Sequence, residues 1–300
     1  ALHHQALARE PDSADVRLAM ELVRVHLCDW QDYDQRMIAL EQSLIRMLER
    51  PERAAPSPLR PLYFPLSRQL QQQVSQRWCE AQVGALRPLN TQRRAPSPPP
   101  PGDGRLRIGY LSADFRNHAM GNLIHGLFAH HNRDRFEVFA YAIADLCDPY
   151  TRSIQGGVDH YCVVARDTNE QIADRISADG IDVLIDLMGH THHSRPGVLA
   201  LRPAPLQLHY LGFPGPLGCR FVDGVIADRW LIPDDHAQEL KETVHYLPWG
   251  FVSSPPPDGL PSSSEGQAID RTSLGLPADG VVYACFNRPE KIDPGSFQAW

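Results

Sequence analysis

The sequence has no surplus of positive charge, no long apolar run and no paired-cysteine motif. Its 29 Lys and Arg face 36 Asp and Glu, for a net charge of -7 and a pI near 6.0. Without a basic field to grip a phosphate backbone, no nucleic-acid partner is expected. Apolar runs such as Val183-Leu184-Ile185 fall far short of a bilayer, so no membrane partner is expected either. The N-terminus lacks the charged-then-apolar order of a secretory signal. Six cysteines (Cys28, Cys79, Cys147, Cys162, Cys219, Cys285) are scattered with no CxxC. They read as reduced thiols in a reducing, cytoplasmic compartment, and a disulfide framework is not expected.

What is present is a 42% hydrophobic and 22% charged chain of 300 residues, enough for a sizeable core and two or more units. Residues 1–92 read as helical. Asp12 or Ser13 can cap a helix with Val16, Met20, Leu22, Val23 and Leu27 at helical spacing. A second helix follows Asp32, with Met37, Ile38, Leu40, Leu44, Ile45 and Leu48 on its apolar side. A third runs from about Pro65 to Val83. Paired helices of this kind form either the end of a helical repeat array or a helical cap on the next domain. Residues 93–104, rich in proline, form a linker.

From 105 to 252 strands and helices alternate. Strands are expected at 105–112, 136–143, 182–187, 207–212 and 224–227, with helices at 122–131 and 169–179. That alternation predicts a parallel sheet and a Rossmann-like lobe. Residues 253–280 read as a second linker. Val281–Phe286 (VVYACF) then reads as a strand and Asp293-Pro294 as a helix start. Residues 281–300 are thus expected to begin a second lobe that further chain completes.

Four loops carry candidate chemistry. Ser112–Gly121 (SADFRNHAMG) follows the first strand, where open parallel sheets place their ligands. His118 there suits general-base or hydrogen-bonding work, or else caps a helix. Gly121 admits a close approach of backbone. Met188–His193 (MGHTHH) includes Thr191. Its histidines lack the frame of a metal site, and a polar loop contacting sugar is the better reading. Leu211–Gly215 (LGFPG) can lay the backbone of Phe213, Pro214 and Gly215 against a sugar, or can be a plain tight turn. Asn287–Asp293 (NRPEKID) places Lys291 before a helix start, where a diphosphate finds a cation and free amides. The bland alternative is a solvated turn lysine.

RIGYLSADFRNHAMG, ALRPAPLQLHYLGFPG and YACFNRPEKIDP together resemble the O-linked N-acetylglucosamine transferase family, in the family's order. The segment LCDWQDYDQR is similar to the end of its tetratricopeptide region, and the short 250–281 interval resembles the bacterial members. The resemblance implies an α/β fold with an N-terminal helical repeat region and a GT-B arrangement of two Rossmann-like lobes, the second only begun here. It implies inverting transfer of N-acetylglucosamine from UDP-GlcNAc to Ser/Thr hydroxyls of proteins, with no metal or other cofactor. Protein or peptide acceptors are expected to be held by the helical repeats. By the same likeness His118 matches the histidine taken as base or sugar contact, and Lys291 matches the lysine that neutralises the UDP leaving group. Asn287 and Arg288 fall where the family contacts nucleotide, although animal members carry glutamine in place of Arg288. His190 stands where a tyrosine is common. Deprotonation of the acceptor is open to His118, a donor phosphate oxygen or water. Two alternatives remain on sequence grounds: a non-catalytic helical scaffold with a degenerate lobe, and a two-lobed transferase using another nucleotide sugar.

Overall fold

The computed structural model describes residues 5, 9–10, 13–50, 52–53, 55–84, 104–252 and 270–300. The Pro-rich linker lies outside the described residues up to Gly104, as do residues 253–269 of the second linker.

Among the described residues three α-helices form the N-terminal layer: α1 (Ala14–His26), α2 (Tyr33–Leu48) and α3 (Arg68–Val83). Met37, Leu40, Leu44 and Met47 recur at helical spacing on α2 and pack against Leu18 and Val25 of α1 and Leu70 and Val74 of α3. The caps differ from expectation. Ser13 and Asp32 occupy N-cap positions without a side-chain bond, whereas Ser67 accepts the Leu70 N–H at 3.2 Å. Val23, Ile38 and Ile45, expected in the core, are exposed on the outer face of the pair.

The rest of the fold is one seven-stranded parallel sheet: β1 (Leu106–Ser112), β2 (Phe136–Ala142), β3 (His160–Val163), β4 (Val183–Asp186), β5 (Leu206–Tyr210), β6 (Gly224–Ala227) and β7 (Thr243–Tyr246), in the order β3-β2-β1-β4-β5-β6-β7. Both faces are covered, as parallel sheets require. Leu111, Phe139, Tyr141 and Leu184 point to one face, under Ile172 and Ile176 of α6 (Asn169–Ala178) and Val198 of α7 (Pro196–Ala200). Tyr110, Val138, Ala140 and Ile185 point to the other, under Ile124 of α4 (Ala119–Ile124) and Ile154 of α5 (Pro149–Gly157).

Three expectations change. The helix read over 122–131 is α4 followed by a 3-10 turn at Phe128–His130, because the cap lies earlier, at His118, and Gly126 interrupts the run. The edge strands β3 and β7 went unread because they are four residues long and mostly outside the core, leaving no apolar run. Val281–Phe286 forms no strand. Val281, Tyr283 and Phe286 are 79%, 92% and 99% exposed, and no neighbouring strand among the described residues completes their ladder.

The cysteine reading also needs correction. Cys79 of α3 and Cys219 of the β5–β6 connection form a disulfide, with Cα atoms 6.0 Å apart. Their separation of 140 residues leaves no spacing signature, so only folding brings them together. Cys28, Cys147, Cys162 and Cys285 are free.

Gly212 fixes how the loop after β5 leaves the sheet. A Cβ there would sit 1.8 Å from the Leu187 carbonyl oxygen. Gly212→Ala is therefore expected to cost about 1–3 kcal/mol of stability by forcing the two strand ends apart, read from the midpoint of denaturant unfolding.

Candidate active site

The chain runs from β1 to β2 and β3 on one side and then returns to β4 on the other side of β1. The connections leaving β1 and β4 therefore part company, and the gap between them is where a doubly wound sheet receives a ligand. Met188 holds the two sides in register. Its sulfur accepts from Ser112 Oγ at 3.4 Å and from the Ala113 N–H at 3.3 Å.

On the β1 side, Asp114 is buried at the foot of the loop, and Arg116 donates to its Oδ1 at 3.0 Å. Its Oδ2 lies 3.4 Å from His118 Nδ1. The same Nδ1 accepts the Met120 N–H at 3.3 Å, so His118 caps α4. The two contacts need different tautomers. With its lone pair on Nδ1 the ring caps the helix. With a proton on Nδ1 it donates to Asp114 and leaves the lone pair on Nε2. Gly121 closes this loop on itself: a Cβ there would lie 1.9 Å from the Arg116 carbonyl oxygen. Asp148, which caps α5, also accepts the Asn117 N–H at 2.5 Å and fixes the loop from outside.

On the β4 side, a buried pair organises two loops. Asp186 accepts from the Met188 and Gly189 N–H groups at 3.1 and 2.7 Å. His209 of β5 reaches Asp186 Oδ2 through Nδ1 at 3.2 Å and accepts the Phe213 N–H on Nε2 at 3.3 Å. One carboxylate thus sets the loop after β4 and, through one imidazole, the loop after β5. Thr191 turns its hydroxyl back to the Met188 carbonyl at 2.8 Å. Phe213 is buried, edge-on to His190 at 5.1 Å, and Pro214 next to it is exposed. Gly215 rests against Leu62 of the helical layer.

His190 is a core histidine. Its Nε2 donates to the Leu217 carbonyl at 2.7 Å, Trp78 packs edge-on at 4.8 Å, and Nδ1 has no hydrogen-bond partner. Protonating that buried nitrogen would strand a charge, so burial lowers its pKa from an ordinary value of 6.5 to about 4. The folded-state pKa lies below the unfolded one. The neutral ring therefore supports the fold above about pH 6.5, and that support is lost as pH falls toward about 4. The unfolding free energy of the wild type is expected to decline over that window, with a shallower decline in His190→Gln, measured by denaturant titration at stepped pH.

Among the described residues no group of three His, Cys, Asp or Glu side chains is arranged to hold a metal ion. The His192 and His193 rings lie tilted to each other with centroids 3.8 Å apart, and both are exposed.

Lys291 ends a 3-10 turn (Pro289–Lys291) that packs on the helical layer. With Pro214 it lines a cavity of about 400 Å³, whose other walls include Tyr33, Leu62, Tyr63 and Asp293. Burial, and then the charge of Asp293, raises the pKa of the Tyr33 phenol, keeping it a hydrogen-bond donor at the cavity wall. A smaller cavity of about 200 Å³ opens beyond Pro214, against His209, Leu231 and Phe251.

The structure therefore brings Lys291 and Pro214 together and packs Gly215 on the cavity wall. His118 and Thr191 stand on loops at the same carboxyl edge of the sheet. Phe213 and Gly121 face inward. Asn287 and Arg288 are exposed and line neither cavity. Sequence reasoning missed Asp114, although it stands four residues before His118 in the same motif. It also missed Tyr33, Leu62 and Tyr63, because helical apolar spacing assigns such residues to a core and says nothing of which cavity they wall.

Fold and site together define an α/β protein of the Rossmann-like class, with its candidate residues on loops at the carboxyl edge of a parallel sheet. The model of glycosyl transferase family 41 matches residues 27–254, and the chain belongs to that family. It is 30% identical over 281 residues to a probable UDP-N-acetylglucosamine–peptide N-acetylglucosaminyltransferase of Arabidopsis thaliana, SEC, covering 91% of this chain and 29% of that one. It is 31% identical over 234 residues to the UDP-N-acetylglucosamine–peptide N-acetylglucosaminyltransferase of Caenorhabditis elegans, covering 75% of this chain and 20% of that one. A solved structure of a lysine-to-methionine mutant of the Thermobaculum terrenum O-GlcNAc transferase superposes with a TM-score of 0.71 at 26% identity, over 98% of this chain and 53% of that one. The chain thus spans less than a third of the length of these curated relatives.

Proposed function

We propose that the protein contributes the first catalytic lobe of a transferase that moves N-acetylglucosamine from UDP-GlcNAc to Ser/Thr hydroxyls of proteins. The observation that carries this reading is the shared cavity of Lys291, Pro214 and the helical layer; His118 stands on a separate loop, after β1. An inverting displacement needs a path for the acceptor proton and a cation for the departing diphosphate. His118, oriented by Asp114, offers the first, and Lys291 the second. A lysine in that place makes a metal ion unnecessary, so the reaction is metal-independent in this reading.

The helices α1–α3 are read as the end of a tetratricopeptide array that delivers protein acceptors to the cavity. No helix among the described residues is long and apolar enough to cross a membrane, and a cytoplasmic setting fits protein acceptors of this kind. The second lobe supplies the remaining donor contacts.

The test is transfer of radiolabelled sugar from UDP-GlcNAc to a Ser/Thr peptide by the full-length protein, with chelator present, alongside a panel of other nucleotide sugars. Transfer from UDP-GlcNAc undiminished by chelator, giving a β-linked product, supports the reading. Preference for another donor, or a chelator-sensitive reaction, overturns it.

A further inference from the structure

One buried carboxylate has no part in the chemistry above. Glu290 precedes Lys291 in the turn and is 5% exposed, whereas every other residue from 281 to 291 is exposed. Its Oε2 lies 3.3 Å from His26 Nε2 at the end of α1, and its Oε1 lies 3.6 Å from Arg288 Nη1. Thus the carboxylate sits between a guanidinium and an imidazole, the latter from the helical layer.

The protons on His26 can be assigned from its other contact. His26 Nδ1 lies 2.6 Å from the Leu22 carbonyl, which has no proton to give, so Nδ1 carries one. Nε2 is left facing the carboxylate at 3.3 Å, and Glu290 Oε2 has no other hydrogen-bond partner among the described residues. Seven residues further on, Phe297 packs against Trp30 in the α1–α2 connection at 5.0 Å. Lys291 therefore lies between two anchor points on the same helical layer.

We propose that Glu290 is a positioning residue for Lys291. Held by His26 and Arg288, it pins the turn to α1 and fixes where the ammonium stands opposite Pro214. The inference rests on reading Lys291 as the cation that faces the donor diphosphate. Its consequence is that the helical layer and the leaving-group cation move as one body.

The test is a double-mutant cycle in the full-length protein, with Glu290→Gln, Lys291→Met and the pair. Turnover, acceptor KM and amide exchange over 289–300 are measured for each. Glu290→Gln is expected to lower turnover about tenfold, with acceptor KM nearly unchanged, and to add no further loss once Lys291 is methionine. Exchange of the 289–300 amides should accelerate. His26→Ala, at a half-exposed ring, should reproduce both effects and carries the test should Glu290→Gln not fold. Labelling with an amine-reactive ester, read at the peptide that contains Lys291, reports on its surroundings. Losses that multiply in the double variant, or exchange unchanged in both Glu290→Gln and His26→Ala, overturn the proposal. Should the unmutated protein transfer no sugar, the functional reading falls by itself. Exchange and labelling then judge the pin: faster exchange with altered labelling sustains it, and unchanged values overturn it.

Discussion

His118→Ala is expected to lower sugar transfer by about a hundredfold or more, the range general acid–base catalysis supplies. The ring stands at the carboxyl end of β1 with Asp114 3.4 Å from Nδ1, and its side chain is 41% exposed. A proton on Nδ1, donated to Asp114, leaves Nε2 free to take the acceptor proton. The loss of a helix cap complicates the alanine variant, because Nδ1 also accepts the Met120 N–H. A lost cap costs about 1 kcal/mol of stability, which is separable from turnover by an unfolding measurement. His118→Asn resolves the two roles, since asparagine caps helices well and cannot act as a base. Low turnover in both variants, with stability restored in the asparagine one, assigns chemistry to the ring. Wild-type turnover in His118→Asn would reduce His118 to a cap.

The second large effect is expected at Lys291. Breaking the sugar–phosphate bond gathers negative charge on the departing UDP, and a fixed cation stabilises that charge more in the transition state than in the bound donor. Lys291→Met should therefore slow turnover about a hundredfold, a cost on the order of 3 kcal/mol, and should weaken UDP binding as well. A solvated turn lysine would behave otherwise, with stability changed by less than about 0.5 kcal/mol and catalysis untouched. Turnover and UDP affinity measured on the full-length variant distinguish the two cases. Unchanged values for both would make Lys291 surface charge and remove the main support for the proposed chemistry.

The central sheet was legible because β1, β2 and β4 are buried runs between helical segments, and a buried parallel strand advertises itself by apolar continuity. His118 and Lys291 were legible by position, since each follows a segment read as a strand. For Lys291 the premise failed, because residues 281–286 form no strand. The residue nonetheless stands at a cavity, owing to the docking of its turn on α1. What lay beyond the sequence was everything created by long-range contact. The Asp186–His209 pair spans 23 residues, the His26–Glu290 contact joins opposite parts of the chain, and Cys79 meets Cys219 across 140 residues. No local pattern encodes such meetings, because each partner looks ordinary in its own neighbourhood.

The cavity around Lys291 also bears on the order in which the protein assembles. Its walls come from residues 25–63, from Pro214 and from residues 290–293. Each neighbouring pair of strands beneath it is parallel, so every pairing must first close a long crossover. Loops of that length are slow to close, and contacts that depend on several of them form late. The helical hairpin α1–α2 can form early from local contacts, but the cavity it walls exists only once the sheet has presented Pro214 and the 289–291 turn has docked. A ligand that fills the cavity thus binds only the finished arrangement, and by mass action it raises the free energy needed to open any of the three parts. Filling of the cavity and completion of the fold around it are, in that sense, a single equilibrium.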